Sequence, residues 1–258
     1  MKVVILAGGL GTRLAEVTSE IPKPMARVGP EPMLMHIMRV YAAHGFTEFV
    51  IALGYRGEVI RDYFTSYRAM HSDLTVHLDT GAVEYHRSPD VPWQVHLIDT
   101  GASTMTGGRI KRLAPILKDE PFMLTYGDGI GNVDLNALLQ YHREHGKWIT
   151  VTAVHPVSRY GKLVIEADGT VSQFVEKPQF EDDWINGGFF VMEPDILDHI
   201  DGDDTVLERE PLERAARRGQ LQAYRHAGFW HSMDTLRDLQ QLNELWRSTT
   251  VPPWLSQP

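Results

Sequence analysis

Residues 2–7 (KVVILA) form an unbroken apolar run rich in β-branched side chains, and the run stops at Gly8 and Gly9. A strand buried on both faces has this pattern, and such strands sit inside sheets covered by helices on each side. The signature returns at 49–54 (FVIALG) and at 122–128 (FMLTYGD), the latter with a polar end. Residues 32–44 have helical apolar spacing, with Pro32 near the start and Gly45 just past the end. Residues 57–67, 107–117 and 134–146 read as further helices, the last with Asp134 placed to cap it and Gly146 to stop it. The segments 74–79 and 94–99 read as strands, with a polar, Pro-containing projecting loop over 81–93 between them. Strand and helix alternate through residue 147, which is the rhythm of a parallel, doubly wound sheet.

From about residue 148 the rhythm changes. The segments WITVTAVHP, KLVIEADGTVSQFVEK and INGGFFVME are strands joined by short turns, and Asp168-Gly169 between two apolar runs is a hairpin signal. Short helices are predicted near 194–200 and 205–218, late strands at LQAYRH and FWHSMD, a final helix over 235–247 and an irregular tail. No internal repeat or linker interrupts the chain, so the pattern predicts one compact α/β domain over 1–258. Its sheet is mixed and mainly parallel, with added β-hairpins and a C-terminal helix.

The chain has 258 residues and no cysteine, which excludes disulfides, thiolate metal sites and thiol nucleophiles and fits a reducing, cytoplasmic setting. No run approaches the ~20 apolar residues of a membrane span. The formal charge of −9 argues against nucleic acid as a partner. An anionic ligand would therefore need a locally positive site, built from selected Arg and Lys side chains, backbone N–H groups and a divalent cation.

Such a site is visible in LAGGLGTRLAEVTSEIPKP, residues 6–24, directly after the first buried strand. Gly8, Gly9 and Gly11 allow a tight turn whose successive N–H groups form an anion-binding concavity. Arg13 adds a bidentate phosphate donor and Lys23 a second cation. The string is not a P-loop, and it only half matches the dinucleotide pattern: position 14 is Leu, and no acidic residue ends the second strand at Leu53-Gly54. Asp128, flanked by glycines beyond a buried strand, can reach a metal-bridged phosphate or simply serve a turn. Asp234 can be a second carboxylate or the cap of the final helix, with Thr235 beside it. Asn186-Gly187-Gly188 marks either a bulge or a close approach. The pair His142 and His145 lacks a carboxylate partner pattern, and HREHG reads as solvated surface at a helix end; 111–113 (KRL) reads as a helix face.

The string GGLGTRL followed by PKP resembles the signature of the sugar nucleotidyltransferases. Longer segments, among them 23–38, 54–64, 92–113, 133–147, 186–191 and 208–216, resemble the members that transfer a cytidylyl group to glucose 1-phosphate. The resemblance implies a Rossmann-like nucleotidyltransferase fold, with a nucleotide half over 1–147, a sugar-phosphate half over 148–234, and a C-terminal helix and tail over 235–258. It implies CTP, glucose 1-phosphate and Mg²⁺ as ligands, a homo-oligomer, and CDP-glucose destined for deoxysugars of surface polysaccharides. The nucleotide would meet Leu6, Ala7, Gly8, Gly9, Gly11, Thr12, Arg13, Lys23, Thr106, Gly107, Arg109 and Asp128, with Arg13 and Lys23 as catalytic cations. The sugar phosphate would meet Tyr126, Gly127, Glu176, Lys177, Asn186 and Gly187, and the metal would sit on Asp128 and Asp234. For Arg109 an exposed helix position is the plain alternative. Lys162 stands where close relatives carry a small residue, either facing solvent or meeting a differently substituted sugar. A nucleotidyltransferase for UTP or dTTP, or for another sugar 1-phosphate, and a non-catalytic sugar-nucleotide sensor remain as rival readings.

Overall fold

The computed structural model describes residues 1–9, 11, 14, 18, 20–87, 91–155, 161–175 and 183–256. The expectations placed on Thr12, Arg13, Glu176 and Lys177, and on the side chain of Lys162, lie outside the described residues.

Strands are numbered here in chain order. The first half holds β1 (Val3–Leu6), β2 (Arg27–Val28), β3 (Glu31–Pro32), β4 (Glu48–Leu53), β5 (Asp73–Val76), β6 (Val83–Arg87), β7 (Gln94–Asp99), β8 (Phe122–Tyr126) and β9 (Gly129–Gly131). The second half adds β10 (Ile149–Val154), β11 (Lys162–Ile165), β12 (Val171–Val175), β13 (Ile185–Asn186), β14 (Phe190–Met192), β15 (Leu221–Arg225) and β16 (Trp230–Ser232). The α-helices are α1 (Met33–Ala43), α2 (Gly57–Met70), α3 (Thr106–Arg112), α4 (Ala114–Leu117), α5 (Leu135–His145), α6 (Glu210–Arg217) and α7 (Leu236–Ser248). Among the described residues the central sheet runs in the order β13-β10-β14-β8-β1-β4-β7, with β15 paired to β10. The β1–β4, β1–β8, β4–β7 and β10–β15 pairs are parallel, while β14 runs antiparallel to both β8 and β10. The sheet is thus mixed and α/β, as the alternating pattern predicted.

The apolar run at the N-terminus explains the layering. Successive side chains of a strand point to opposite faces. Val3 and Ile5 join the core on the α1 and α7 side, whereas Val4 and Leu6 join the core packed under α3, α4 and α6. All four are buried, and full burial of such a side chain contributes ~1.5–3 kcal/mol. Asp134 caps α5 as expected, its Oδ1 accepting from the N–H groups of Asn136 at 3.1 Å and Ala137 at 2.9 Å. Gly146 ends that helix in the left-handed region at φ 61°, where glycine carries no Cβ penalty.

Several segments differ from expectation for local reasons. The projecting loop over 81–93 includes β6, which pairs with β5 to make an antiparallel hairpin. The helix read over 107–117 is split at Leu113, because Pro115 opens a new short helix. The apolar stretch 185–193 is two strands, broken where Gly188 and Phe189 take φ values of 77° and 46°. His142 is not solvated surface: it is buried, with Nδ1 2.7 Å from Thr150 Oγ1 and Nε2 3.2 Å from Glu193 Oε1. Its carboxylate partner lies far along the chain, on the strand end after β14, where sequence spacing gives no hint of it.

Burial holds His142, His145, His36 and His226 below the ordinary imidazole pKa. A lowered folded-state pKa means that the unfolded chain binds more protons below about pH 6.5, so this stability is present above that value and lost as the pH falls. The urea midpoint is expected to drop between pH 7 and pH 5, and a flat midpoint over that interval would contradict the assignment.

The tail is not irregular throughout. Residues Pro253–Leu255 form a 3₁₀ turn that drives Trp254 into the core, where it is 1% exposed. Its ring meets His36 edge-on at 5.6 Å and lies 6.0 Å from Phe229, just before β16. Trp254→Ala is expected to cost ~3–5 kcal/mol in urea unfolding, the range for removing a buried aromatic side chain. Trp254→Phe is expected to cost much less, because the indole N–H finds no acceptor among the described residues. Equal losses in the two variants would show that packing is not what the tail contributes.

Candidate active site

The carboxyl ends of β1 and β8 lie side by side, with Leu6 in register with Tyr126 and the Gly127 N–H donating to Leu6 O at 3.0 Å. Beyond them the chain leaves the sheet, and a cleft of about 280 Å³ opens there. Leu6, Ala7, Gly8, Gly9, Gly11 and Lys23 line one side, Thr104, Met105, Thr106 and Arg109 a second, and Tyr126, Gly127 and Asp128 the third. In open α/β sheets ligands bind in this position. A Cβ on Gly127 would lie 2.6 Å from Pro24 Cγ, so glycine there lets the turn carrying Lys23 close onto the strand end.

A second ribbon completes the site. β9 pairs antiparallel with β16, Ser232 opposite Gly129, and the Met233 N–H donates to Asp128 O at 2.8 Å. This pairing carries Asp234 to the side of Asp128. Lys23 enters between the two, with Nζ 2.6 Å from Asp128 Oδ2 and 2.9 Å from Asp234 Oδ1. Burial opposes the charge on Lys23, but the two carboxylates outweigh it and hold the ammonium above its ordinary pKa. The alternative reading of Asp234 as a helix cap does not hold. Thr235 is the N-cap of α7 and makes a capping box with Asp238, whose Oδ2 accepts from the Asp234 and Thr235 N–H groups. The Asp234 side chain instead points to Lys23 and accepts from Ser232 Oγ at 3.0 Å.

Two carboxylates converging on one cationic atom are a donor set that a hard divalent cation accepts, with phosphates and water filling its other positions. Here the ammonium of Lys23 stands where positive charge is required. The residues present fit the group.

Arg109 is buried, not an exposed helix position. It is 4% exposed and donates from one terminal nitrogen to Leu53 O (3.0 Å), Thr100 Oγ1 (2.8 Å) and Gly101 O (2.8 Å), and from the other to Gly8 O (3.0 Å) and Ala102 O (3.4 Å). It therefore ties together the ends of β1, β4 and β7. A Cβ on Gly8 would come 2.2 Å from the guanidinium, so a side chain there would have to displace Arg109 from its hydrogen bonds, a constraint separate from any ligand. Gly107 lies between two residues of the cleft wall, Thr106 and Arg109, and is not itself among the lining residues. Its N–H donates to Thr205 O at 2.9 Å, and a Cβ there would meet that same oxygen at 2.8 Å. Glycine there lets α3 close onto the turn at Thr205. The reading of the sequence missed Thr104 and Met105, which do line the cleft. The signal available in the sequence was a large apolar residue, Met105, set in the polar and glycine-rich run TGASTMTGG; in the structure it is 48% exposed.

On the far side, Asn186 donates from Nδ2 to the Tyr126 hydroxyl at 3.1 Å and accepts the Gly188 N–H on Oδ1 at 2.9 Å. Gly187 is buried, and its carbonyl accepts from Trp230 Nε1 at 2.7 Å. Tyr126, Asn186 and Gly187 are thus adjacent, bordering the β8 end of the cleft.

A nucleotidyl transferase family model matches residues 2–248. The chain is 49% identical over 253 residues to glucose-1-phosphate cytidylyltransferase of Salmonella typhi, covering 98% of each. It is 44% identical to probable glucose-1-phosphate cytidylyltransferase of Bacillus subtilis, over 95% of this chain and 96% of that one. Among solved structures it superimposes on HddC from Yersinia pseudotuberculosis with a TM-score of 0.70 at 24% identity, covering 95% of this chain and 99% of HddC. An apo UDP-glucose pyrophosphorylase gives a TM-score of 0.69 at 17% identity over 97% of this chain and 99% of that one. The two structural likenesses bear on the fold alone.

Proposed function

The chain belongs to the nucleotidyl transferase family, in the branch of the glucose-1-phosphate cytidylyltransferases, and we propose that it joins CTP to α-D-glucose 1-phosphate, giving CDP-glucose and pyrophosphate. The observation that carries the chemistry is the meeting of Asp128, Asp234 and Lys23 at the mouth of a glycine-walled cleft.

The sugar phosphate is the nucleophile. The second pKa of a phosphomonoester is ~6, so near neutrality it is mostly dianionic and needs no general base. One of its oxygens forms a bond to the α-phosphorus of CTP as the bond from that phosphorus to the pyrophosphate oxygen breaks, and pyrophosphate carries away the electron pair. Such a reaction asks for alignment and charge neutralisation. Lys23 supplies buried positive charge at the reacting phosphates, and the backbone of Gly8, Gly9 and Gly11 offers N–H groups to the triphosphate. Tyr126, Asn186 and Gly187 border the place where the sugar would lie. Arg13 is assigned to the triphosphate, and Glu176 and Lys177 to the sugar phosphate, on the family's motif. Asp128 and Asp234 would hold a divalent cation, Mg²⁺ in this reading, which when bound neutralises charge on the phosphates.

In this reading residues 1–147 serve the nucleotide and 148–234 the sugar phosphate, and the protein works in the cytoplasm as a homo-oligomer. The composition without cysteine supports the compartment. The exposed apolar side chains of the β5–β6 hairpin, Val76, Leu78, Val83 and Tyr85, support self-association. Among the described residues no helix is long and apolar enough to cross a membrane.

The test is pyrophosphate release with glucose 1-phosphate, Mg²⁺ and each of CTP, UTP, dTTP, ATP and GTP in turn. Release confined to CTP supports the reading. Release with another triphosphate moves the base assignment. Binding of CDP-glucose without release from any triphosphate would make the protein a sensor.

A further inference from the structure

Behind the cleft stands a carboxylate that the reaction as described does not use. Glu208 lies in the turn before α6 and is not part of the cleft lining. Its Oε2 accepts from Thr106 Oγ1 at 2.6 Å, and its Oε1 accepts from the Tyr126 hydroxyl at 2.7 Å. Thr106 and Tyr126 both line the cleft, on different walls. Among the described residues no Lys, Arg or His pairs with Glu208, so its partners are two neutral hydroxyls that face the ligand space. Glu208 is half-buried, and with one oxygen engaged from each wall its carboxylate is held in a single orientation.

The direction of the bonds is fixed by what each group can do. A carboxylate only accepts, so both hydroxyls must donate to it. Thr106 Oγ1 is then left to accept, and it accepts the Leu207 N–H at 2.9 Å. The Tyr126 oxygen is left to accept from Asn186 Nδ2 at 3.1 Å. Asn186 Oδ1 is taken by the Gly188 N–H, so the group that Asn186 still offers toward a ligand is its second amide N–H. One carboxylate thereby sets the orientation of Thr106 on the nucleotide wall and of Tyr126 and Asn186 on the opposite wall.

We infer that Glu208 is a positioning residue of the transfer reaction: it locks the nucleotide wall and the sugar wall of the cleft to each other and fixes Asn186 as a hydrogen-bond donor toward the sugar phosphate. This rests on the functional reading above. Isosteric Glu208→Gln puts an NH₂ group, which cannot accept, against one of the two hydroxyls that donate there. Hydrogen bonds to charged groups are the stronger ones, so E208Q is expected to raise the KM for glucose 1-phosphate about tenfold or more. Its KM for CTP is expected to rise as well, through Thr106.

The deciding measurement is a double-mutant cycle that leaves Glu208 in place. Thr106→Val and Asn186→Ala are combined, and the KM for glucose 1-phosphate is read in each variant. Coupling through Glu208 predicts that T106V, on the nucleotide wall, raises the sugar KM, and that the two effects are non-additive by about threefold or more. The coupling is expected to vanish when the cycle is repeated in E208Q. Additive effects in a wild-type background that turns over CTP and glucose 1-phosphate would overturn the inference while leaving the functional reading intact. A sugar KM untouched by E208Q would do the same. Absence of turnover in the wild-type protein would instead strike the functional reading, and this inference with it.

Discussion

Lys23→Met is expected to lower kcat by about 10²–10³-fold while the protein stays folded. Removing one preorganised charge or donor from the place where charge develops in the transition state costs on this scale. Among the described residues that line the cleft the cations are Lys23 and Arg109, and Arg109 is engaged by backbone carbonyls; the Lys23 side chain is 12% exposed, so water does little to screen it. The same substitution carries a second, independent expectation. In the wild-type protein the ammonium lies between Asp128 and Asp234. Without it the two carboxylates face each other with less compensation, and a divalent cation has more to gain by entering. Mg²⁺ or Mn²⁺ added without nucleotide should therefore raise the thermal midpoint of K23M more than that of the wild-type protein, because a ligand that binds only the folded state stabilises it by mass action. Unchanged turnover in folded K23M would remove Lys23 from the chemistry. An equal metal-induced shift in both proteins would show that the ammonium and the metal do not share the carboxylates.

The parts of this architecture that were legible in the sequence are those whose signal is local. The strand at 3–6 declares itself because both of its faces are buried, so its apolar run is continuous. The cap of α5 is legible because Asp134 and Gly146 act within one turn of the helix. The site was legible up to the point where tertiary pairing takes over. Glycines after β1, Lys23 and Asp128 all follow buried strands or tight turns, and the structure brings them to one cleft. Asp234 could not be told from a helix cap until the β9–β16 ribbon placed it beside Asp128 and Thr235 took the cap. Arg109 looks like any cation on a short helix. Its burial depends on five oxygens supplied by residue 8 and by residues 53 and 100–102, none of which is near it in helical register. His142 misled for the same reason, since Thr150 and Glu193 come from β10 and from the end of β14. Glu208 carries no sequence signal at all beyond a charge before a helix, because its two partners stand at positions 106 and 126. Propensity and spacing report what a residue does to its neighbours in the chain, and a catalytic cleft is made of residues that are not neighbours.

Asp128→Asn and Asp234→Asn are expected to reduce activity at saturating Mg²⁺ by at least about a hundredfold and to move half-activation to higher Mg²⁺. A bound metal contributes several kcal/mol of charge stabilisation in phosphoryl chemistry, and each 1.36 kcal/mol is a factor of ten in rate. Asparagine keeps the shape and one oxygen of each side chain and removes the negative charge, so packing around the ribbon changes little and the loss reports charge. The two variants should not be equivalent. Asp128 makes the shorter contact with Lys23, 2.6 Å against 2.9 Å, and its backbone carbonyl is held by the Met233 N–H. Asp234 divides its carboxylate between Lys23 and Ser232 Oγ. In D234N the amide can still accept from one of those two donors, and Lys23 keeps its pairing with Asp128. In D128N the negative charge of the closer partner of a mostly buried ammonium is lost, although the amide oxygen can still accept from it, and loss of charge at that closer contact costs more than at an exposed pair. D128N is therefore expected to show the larger fall in thermal stability without metal, and both variants the shifted Mg²⁺ dependence. Titrating activity against Mg²⁺ from micromolar to tens of millimolar, with the unfolding midpoint of each variant measured alongside, separates the two effects. An unaltered Mg²⁺ dependence in either variant would mean that its carboxylate is not a metal ligand, and the metal would then have to be sought on other oxygens of the cleft.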